Sequence, residues 1–221
     1  MKEGYIIRNQ SKVHFIKTTV VNWIDVFTRK VYKDVVIDCL DFCIKNKKMI
    51  LYGYVIMSNH IHLIIQSEEG KLSDLIRDFK KYTAKKILEL IQTNPVSRRE
   101  WMLERFKKAT ESHTRNKNYQ FWQYGNHAEE IYSDNFMWSK LDYIHMNPVR
   151  AGIVEKASHY LYSSAGNYVN GSELIKLERS IDIDRIEWHI LNGIENDVLK
   201  YTRDQMNLLE VNPNVFKIVI Y

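Results

Sequence analysis

Two histidines two residues apart, His60 and His62, sit inside the apolar run Ser58-Asn59-His60-Ile61-His62-Leu63-Ile64-Ile65. The run reads as a β-strand, and side chains at i and i+2 of a strand leave the same face. The two imidazoles therefore project together while Ile61 points the other way, into a core. Two neutral imidazoles aimed at one point make half of a divalent-metal site. The other half is offered far downstream. The stretch Lys140-Leu141-Asp142-Tyr143-Ile144-His145-Met146-Asn147 reads as the end of a helix. Tyr143 and Asn147, four apart, share one of its faces. Packed where His60 and His62 emerge, that helix would bring the Asn147 amide oxygen as a third ligand and the Tyr143 phenol beside the ion.

Such a set has a chemical logic. Attack of an oxygen nucleophile on a phosphodiester needs charge stabilisation at the non-bridging oxygens, which a divalent ion supplies. A tyrosine nucleophile leaves a phosphotyrosyl ester that conserves the bond energy for a later strand transfer. Imidazole and amide ligands are neutral, so the ion keeps its full charge for the phosphate. The set is softer than magnesium prefers, and manganese is expected to bind at least as well. No general base for Tyr143 stands out in the sequence.

A rival nucleophile is Tyr82, in Lys80-Lys81-Tyr82-Thr83. It lies in a basic helix but has no ligand-type residue four positions later, so convergence favours Tyr143. Along that helix Arg77, Lys81 and Lys85 repeat every four residues, with Lys80 and Lys86 beside them. The stripe reads either as a solvated face or as a contact for the phosphates of a hairpin or single strand. Arg150 is a further candidate DNA contact. Phe121, Trp122 and Tyr124 suit base stacking and sheet packing equally well. His113, His127 and His145 read as surface or packing residues.

The elements that must position these groups follow from periodicity. Residues 12–21 are rich in β-branched side chains and predict a first strand. Residues 29–46 carry Val31, Val35, Val36, Cys39, Leu40, Phe42 and Cys43 at helical spacing. Residues 49–58 and 60–66 predict two strands joined at Ser58-Asn59. Residues 72–92 predict a long helix, and residues 97–111 a polar one. Residues 119–124 suit an edge segment or fourth strand. A last helix starts at Ser133 or Asp134 and is expected to end before Pro148. The order matches an α+β, ferredoxin-like antiparallel sheet with helices on one face. Residues 172–221 are expected to form a mostly helical appendage of unknown role, behind a domain spanning 1–171.

Composition bounds the partners. Nothing among the 221 residues approaches a membrane span or a signal peptide, so a cytoplasmic location is the default expectation. Cys39 and Cys43 read as reduced, half-buried thiols. The net charge is +5, yet residues 172–221 hold 6 basic and 9 acidic side chains, so the positive excess lies in residues 1–171. A basic body suits a polyanion partner.

At this point the residues resemble a known family. His-hydrophobic-His on a strand, followed far downstream by Tyr-x-x-x-Asn on a helix, is similar to the single-tyrosine transposases of the HUH superfamily. Within it, the REP-associated (IS200-like) branch is suggested by three segments. They are Val55-Ile56-Met57-Ser58-Asn59-His60-Ile61-His62, Phe121-Trp122-Gln123, and the run from Asp142 to Gly152 that contains Asn147-Pro148-Val149-Arg150. The resemblance covers roughly residues 5–170. It implies His60, His62 and Asn147 as ligands of magnesium or manganese and Tyr143 as the nucleophile. It further implies nicking and strand transfer on single-stranded DNA flanked by hairpins, through a 5′-phosphotyrosine. Insertion-sequence relatives usually carry glutamine where this chain has Asn147, so the shorter side chain demands a closer helix. The family includes both monomers and homodimers. Two other classes stay open: a hairpin-binding protein without cleavage, and a metal phosphohydrolase that uses water.

Overall fold

The computed structural model describes residues 6–95, 97–111 and 118–169, with Gly171, Leu174, Ile175 and Leu177. The appendage expected at 172–221 and the position of His113 lie outside the described residues, apart from those three isolated positions beyond 171. Four antiparallel strands carry the site: β1 (His14–Thr19), β2 (Met49–Ile56), β3 (His60–Ser67) and β4 (His127–Glu130). Their order across the sheet is β2-β3-β1-β4, with every neighbouring pair antiparallel. Helix α1 (Lys30–Asn46) joins β1 to β2 and α2 (Leu72–Thr93) follows β3. This is the ferredoxin-like plan that the β-α-β-β-α order implied.

The strand alternation sorts the sheet into two faces. Ile16, Thr18, Ile61, Leu63 and Ile65 turn one way and are buried. Helices α1 and α2, packed on each other and against β2 and β3, cover that face. Phe15, Lys17, Thr19, His60, His62 and Ile64 turn the other way. A further helix, α4 (Asp134–Arg150), lies against this second face, in contact with β2 and β3. Between α2 and β4 comes the short polar helix α3 (Arg99–Lys108), which buries only Met102 and Phe106.

Gly53 sets how closely α4 approaches. A Cβ there would meet Leu141 Cδ2 at 2.7 Å and Ile144 Cδ1 at 3.0 Å. The missing side chain therefore lets the tyrosine-bearing helix sit down on β2. A second tie is buried: His145 Nε2 lies 2.8 Å from Ser164 Oγ, and that oxygen accepts from Tyr54 N at 2.9 Å. Ser164 also donates its backbone N–H to Tyr54 O, so residues 162–164 extend the sheet beyond β2 just ahead of α5 (Ala165–Val169).

Two boundaries are settled by the structure. Of the two readings of 119–124 the edge segment holds, through a bridge of Val20 with Trp122, and the fourth strand is His127–Glu130. The helix expected to stop before Pro148 continues to Arg150. Proline lacks an N–H and so denies a partner to the carbonyl one turn back. Here the loss falls in the final turn, where Ala151, Gly152 and Ile153 donate to Asn147, Val149 and Pro148. Gly152, at φ +67°, then ends the helix in the left-handed conformation glycine tolerates.

Candidate active site

The paired imidazoles stand as the strand period requires. The His60 and His62 ring centroids are 4.9 Å apart, with the rings nearly perpendicular. Behind His60 runs a polar chain: its Nδ1 is 2.8 Å from Asn59 Oδ1, and Asn59 Nδ2 donates to Asp25 Oδ1 at 2.9 Å. A proton on Nδ1 satisfies that bond and leaves Nε2 as the free electron pair, the usual arrangement behind a metal-binding imidazole. His62 is fully buried, and neither of its ring nitrogens has a hydrogen-bond partner. Unpaired buried polar atoms are rare and costly, and a ligated ion would satisfy one of the two, the nitrogen that carries the lone pair. The Phe15 ring stacks on His62 at 5.2 Å and holds its plane.

Electrostatics keep both rings neutral. Burial, with the Lys17 ammonium adding to it, lowers His60 to about 4. Burial lowers His62 to about 2, helped by the charges of His60, Lys17, His127 and Lys140. Neutral imidazole is the form that donates to a cation.

Helix α4 brings Tyr143 to this pair within one chain. Its ring is 5.3 Å from that of His62, edge to face, and 6.0 Å from Phe15. The tyrosine remains 41 % exposed. It opens into a cleft of about 710 Å³ also lined by Lys17, Trp23, His62, His127, Glu129 and Lys140. Asn147 is one turn further along α4 and does not line that cleft. Its Nδ2 donates to the Tyr143 carbonyl at 2.6 Å, a bond that does not use the amide oxygen. Two imidazoles and an amide oxygen suit a borderline divalent ion such as manganese. Among the described residues no three His, Cys, Asp or Glu side chains form an alternative metal cluster.

Several cleft residues were not singled out in the sequence. Glu129 bridges His127 Nε2 and Lys140 Nζ, the latter at 2.7 Å. Burial alone would raise its carboxyl, but the hydrogen bonds from Lys140 and His127 take it below its ordinary value. Lys17 lies opposite His62 in the β1–β3 register. The available signals were weak ones: i, i+2 spacing in His127-Ala128-Glu129, and Lys140 three residues before Tyr143.

The basic stripe of α2 is less uniform than its spacing suggests. Arg77, Lys80, Lys81, Lys85 and Trp122 do border a common groove. Arg77 is paired with Asp74 and Asp78, and Lys85 lies 3.9 Å from Glu89. Lys80 turns inward, where its ammonium donates to Gln123 O, Gly125 O and Asn126 Oδ1, each at 3.0 Å. Burial lowers it to about 8, and those three oxygens favour the charged form. It latches the 123–126 loop and does not offer a free charge to a phosphate. Trp122 is a core residue: it is buried, stacked on Phe27 at 5.9 Å, and donates to Thr83 Oγ1. Of the three candidate stacking rings only Tyr124 is exposed. Arg150 is exposed at the end of α4.

Comparison with known proteins bears on this geometry. A family model described as "Transposase IS200 like" matches residues 8–147, a span that includes both histidines and ends on Asn147. Among solved structures, one of a REP-associated tyrosine transposase bound to a REP hairpin is similar in fold. It has a TM-score of 0.51 at 17 % identity, over 82 % of this chain and 94 % of that chain. No curated protein matches significantly. Among the described residues no helix is long and apolar enough to cross a membrane.

Proposed function

The chain belongs to the IS200-like transposase family, and from that premise we propose that it nicks and rejoins single-stranded DNA beside hairpins, through a phosphotyrosine at Tyr143. The observation that carries the reading is an exposed phenol set against a buried imidazole whose two nitrogens have no partner. A core tyrosine would be covered, and a structural histidine would be hydrogen-bonded.

In the proposed reaction Tyr143 Oη attacks the scissile phosphorus in line with the leaving oxygen. The P–O bond to the 3′-oxygen breaks, that oxygen takes a proton, and the 5′-phosphate remains esterified to the tyrosine. Attack by another 3′-hydroxyl reverses these bonds and releases Tyr143. His60, His62 and Asn147 would hold a divalent ion, magnesium or manganese, which when bound would polarise the non-bridging phosphate oxygen. Phe15 keeps the His62 plane fixed, and the Asp25–Asn59 chain keeps His60 in one tautomer. Lys17 adds positive charge at the cleft where the phosphate would lie. Because Tyr143 meets His62 of its own chain, the reading needs no second copy to bring the nucleophile to the imidazoles.

The hairpin would lie on the α2 groove, with Lys81 and Lys85 near phosphates and Tyr124 at the rim. Residues 1–171 are taken as the nuclease domain. Incubation with hairpin-bearing single-stranded DNA and manganese tests the reading. A protein–DNA adduct that resists denaturation is expected, and it is absent in Tyr143→Phe. Tight hairpin binding with no adduct under any divalent ion would favour a binding protein that does not cleave.

A further inference from the structure

Trp23 stands at the mouth of the cleft in a way that folding alone does not favour. The residue is 52 % exposed, so about half of its surface gains nothing from burial. Its backbone and that of Asn22 both lie at φ +54°, a left-handed region that bulky L-residues rarely occupy. The conformation is held from several sides. Trp23 N donates to Val20 O at 3.1 Å, Ile24 N to Val21 O at 3.3 Å, and Asn59 Nδ2 to Trp23 O at 3.4 Å. Asn59 is the residue that also orients His60. The indole meets His60 edge to face at 6.0 Å, lies 5.0 Å from the Lys17 ammonium, and lines the same cleft as His62 and Tyr143. Backbone strain fixed beside a reactive centre points to a role in that centre.

We infer that Trp23 is a stacking platform for one unpaired nucleobase adjoining the phosphate that Tyr143 attacks. The inference rests on the DNA-cleaving reading above and adds a base-binding position to it. An indole gives two π-faces that any base can use; the Lys17 ammonium lies over the ring, where it suits the phosphate of a base stacked on the indole. Stacking there turns the strand so that its backbone, and not its bases, faces the phenol.

The test compares two strands of equal length that carry the same DNA hairpin: one continues from it as oligothymidylate, the other as a sugar-phosphate run made wholly of abasic sites. Binding is measured in a Tyr143→Phe background so that no covalent product forms. Trp23→Ala is expected to weaken oligothymidylate binding roughly tenfold, the scale of one lost base–aromatic stack. It should leave the abasic strand within about twofold. Trp23→Phe should retain most of the affinity, since a phenyl ring also stacks. Trp23→Gly should lose as much affinity as the alanine variant while its thermal midpoint holds or rises, because glycine relieves the positive φ. A tryptophan needed only for folding would instead lower that midpoint. Equal weakening on both strands, or on neither, overturns the assignment while the DNA reading survives. Failure of the parent protein to bind either strand overturns both. Lys81→Met serves as the contrasting control and is expected to weaken the two strands equally.

Discussion

Helices α2 and α4 each present a half-exposed tyrosine, and the sheet lies between them. Tyr82 on α2 is 52 % exposed and Tyr143 on α4 is 41 % exposed. Accessibility and nearby lysines would both choose Tyr82. The surroundings of the rings separate them. Tyr82 borders a cavity with Asp38, Phe42, Asp78, Lys47 and the buried thiols Cys39 and Cys43. Tyr143 borders an imidazole with unsatisfied nitrogens. A nucleophile needs groups that converge on one phosphate, and exposure or local charge alone does not supply them. The lysines repeat the lesson: Lys80 looks like part of a basic stripe, yet its charge is taken up by three loop oxygens.

The contrast breaks most sharply at the two tyrosines. Tyr143→Phe is expected to remove the covalent DNA adduct, a loss on the order of 10,000-fold or more, as when an essential nucleophile is deleted. Tyr82→Phe should leave the adduct rate within about twofold, because the paired imidazoles lie on the opposite face of the sheet. A gel assay of adduct formation separates the two. Next in size, His62→Ala should slow adduct formation roughly 100-fold or more, by removing a proposed ligand and emptying the space that the Phe15 ring packs against. Single-turnover rates across a manganese titration would read it.

Gly53→Ala probes how α4 is seated. Its new Cβ would collide with Leu141 and Ile144, so α4 must shift. Overpacking of this kind typically costs about 1–3 kcal/mol. The adduct rate should fall with it, while hairpin affinity through α2 stays unchanged. Urea unfolding and hairpin binding, measured on one preparation, check both halves.

Acid should weaken the α4 side as well. Burial lowers His145 to about 3, alongside the lowered His60 and His62. The unfolded chain takes up these protons near pH 6.5 and the folded chain does not, so stability present above pH 6.5 is lost as the pH falls below it. Each such histidine contributes a slope of up to about 1.4 kcal/mol per pH unit. His145→Gln should flatten the decline in unfolding free energy between pH 7 and 5. The smallest effect is expected on α2: Lys81→Met should weaken hairpin binding several-fold and make its salt dependence shallower by about one phosphate contact.

Much of the sheet was legible because its signals are local. The i, i+2 histidines and the i, i+4 pair Tyr143 and Asn147 depend only on strand and helix periods. The four-residue β4 was not legible: His127-Ala128-Glu129-Glu130 is polar and short, and its pairing with β1 is decided by tertiary context. The same limit hid Glu129, Lys140 and Lys17, which meet only once β1, β4 and α4 are assembled. Trp122 read as a stacking candidate because composition does not tell a ring facing solvent from one packed on Phe27. Helix α4 outlasts Pro148 because a missing N–H matters little when only one turn remains.

The most direct measurement is mass-spectrometric mapping of the peptide joined to DNA after reaction of the parent protein with a hairpin-bearing single strand and manganese. The expected result is a single phosphotyrosyl linkage, on the peptide that contains Tyr143. A linkage on the Tyr82 peptide, or one that persists undiminished in Tyr143→Phe, would contradict it.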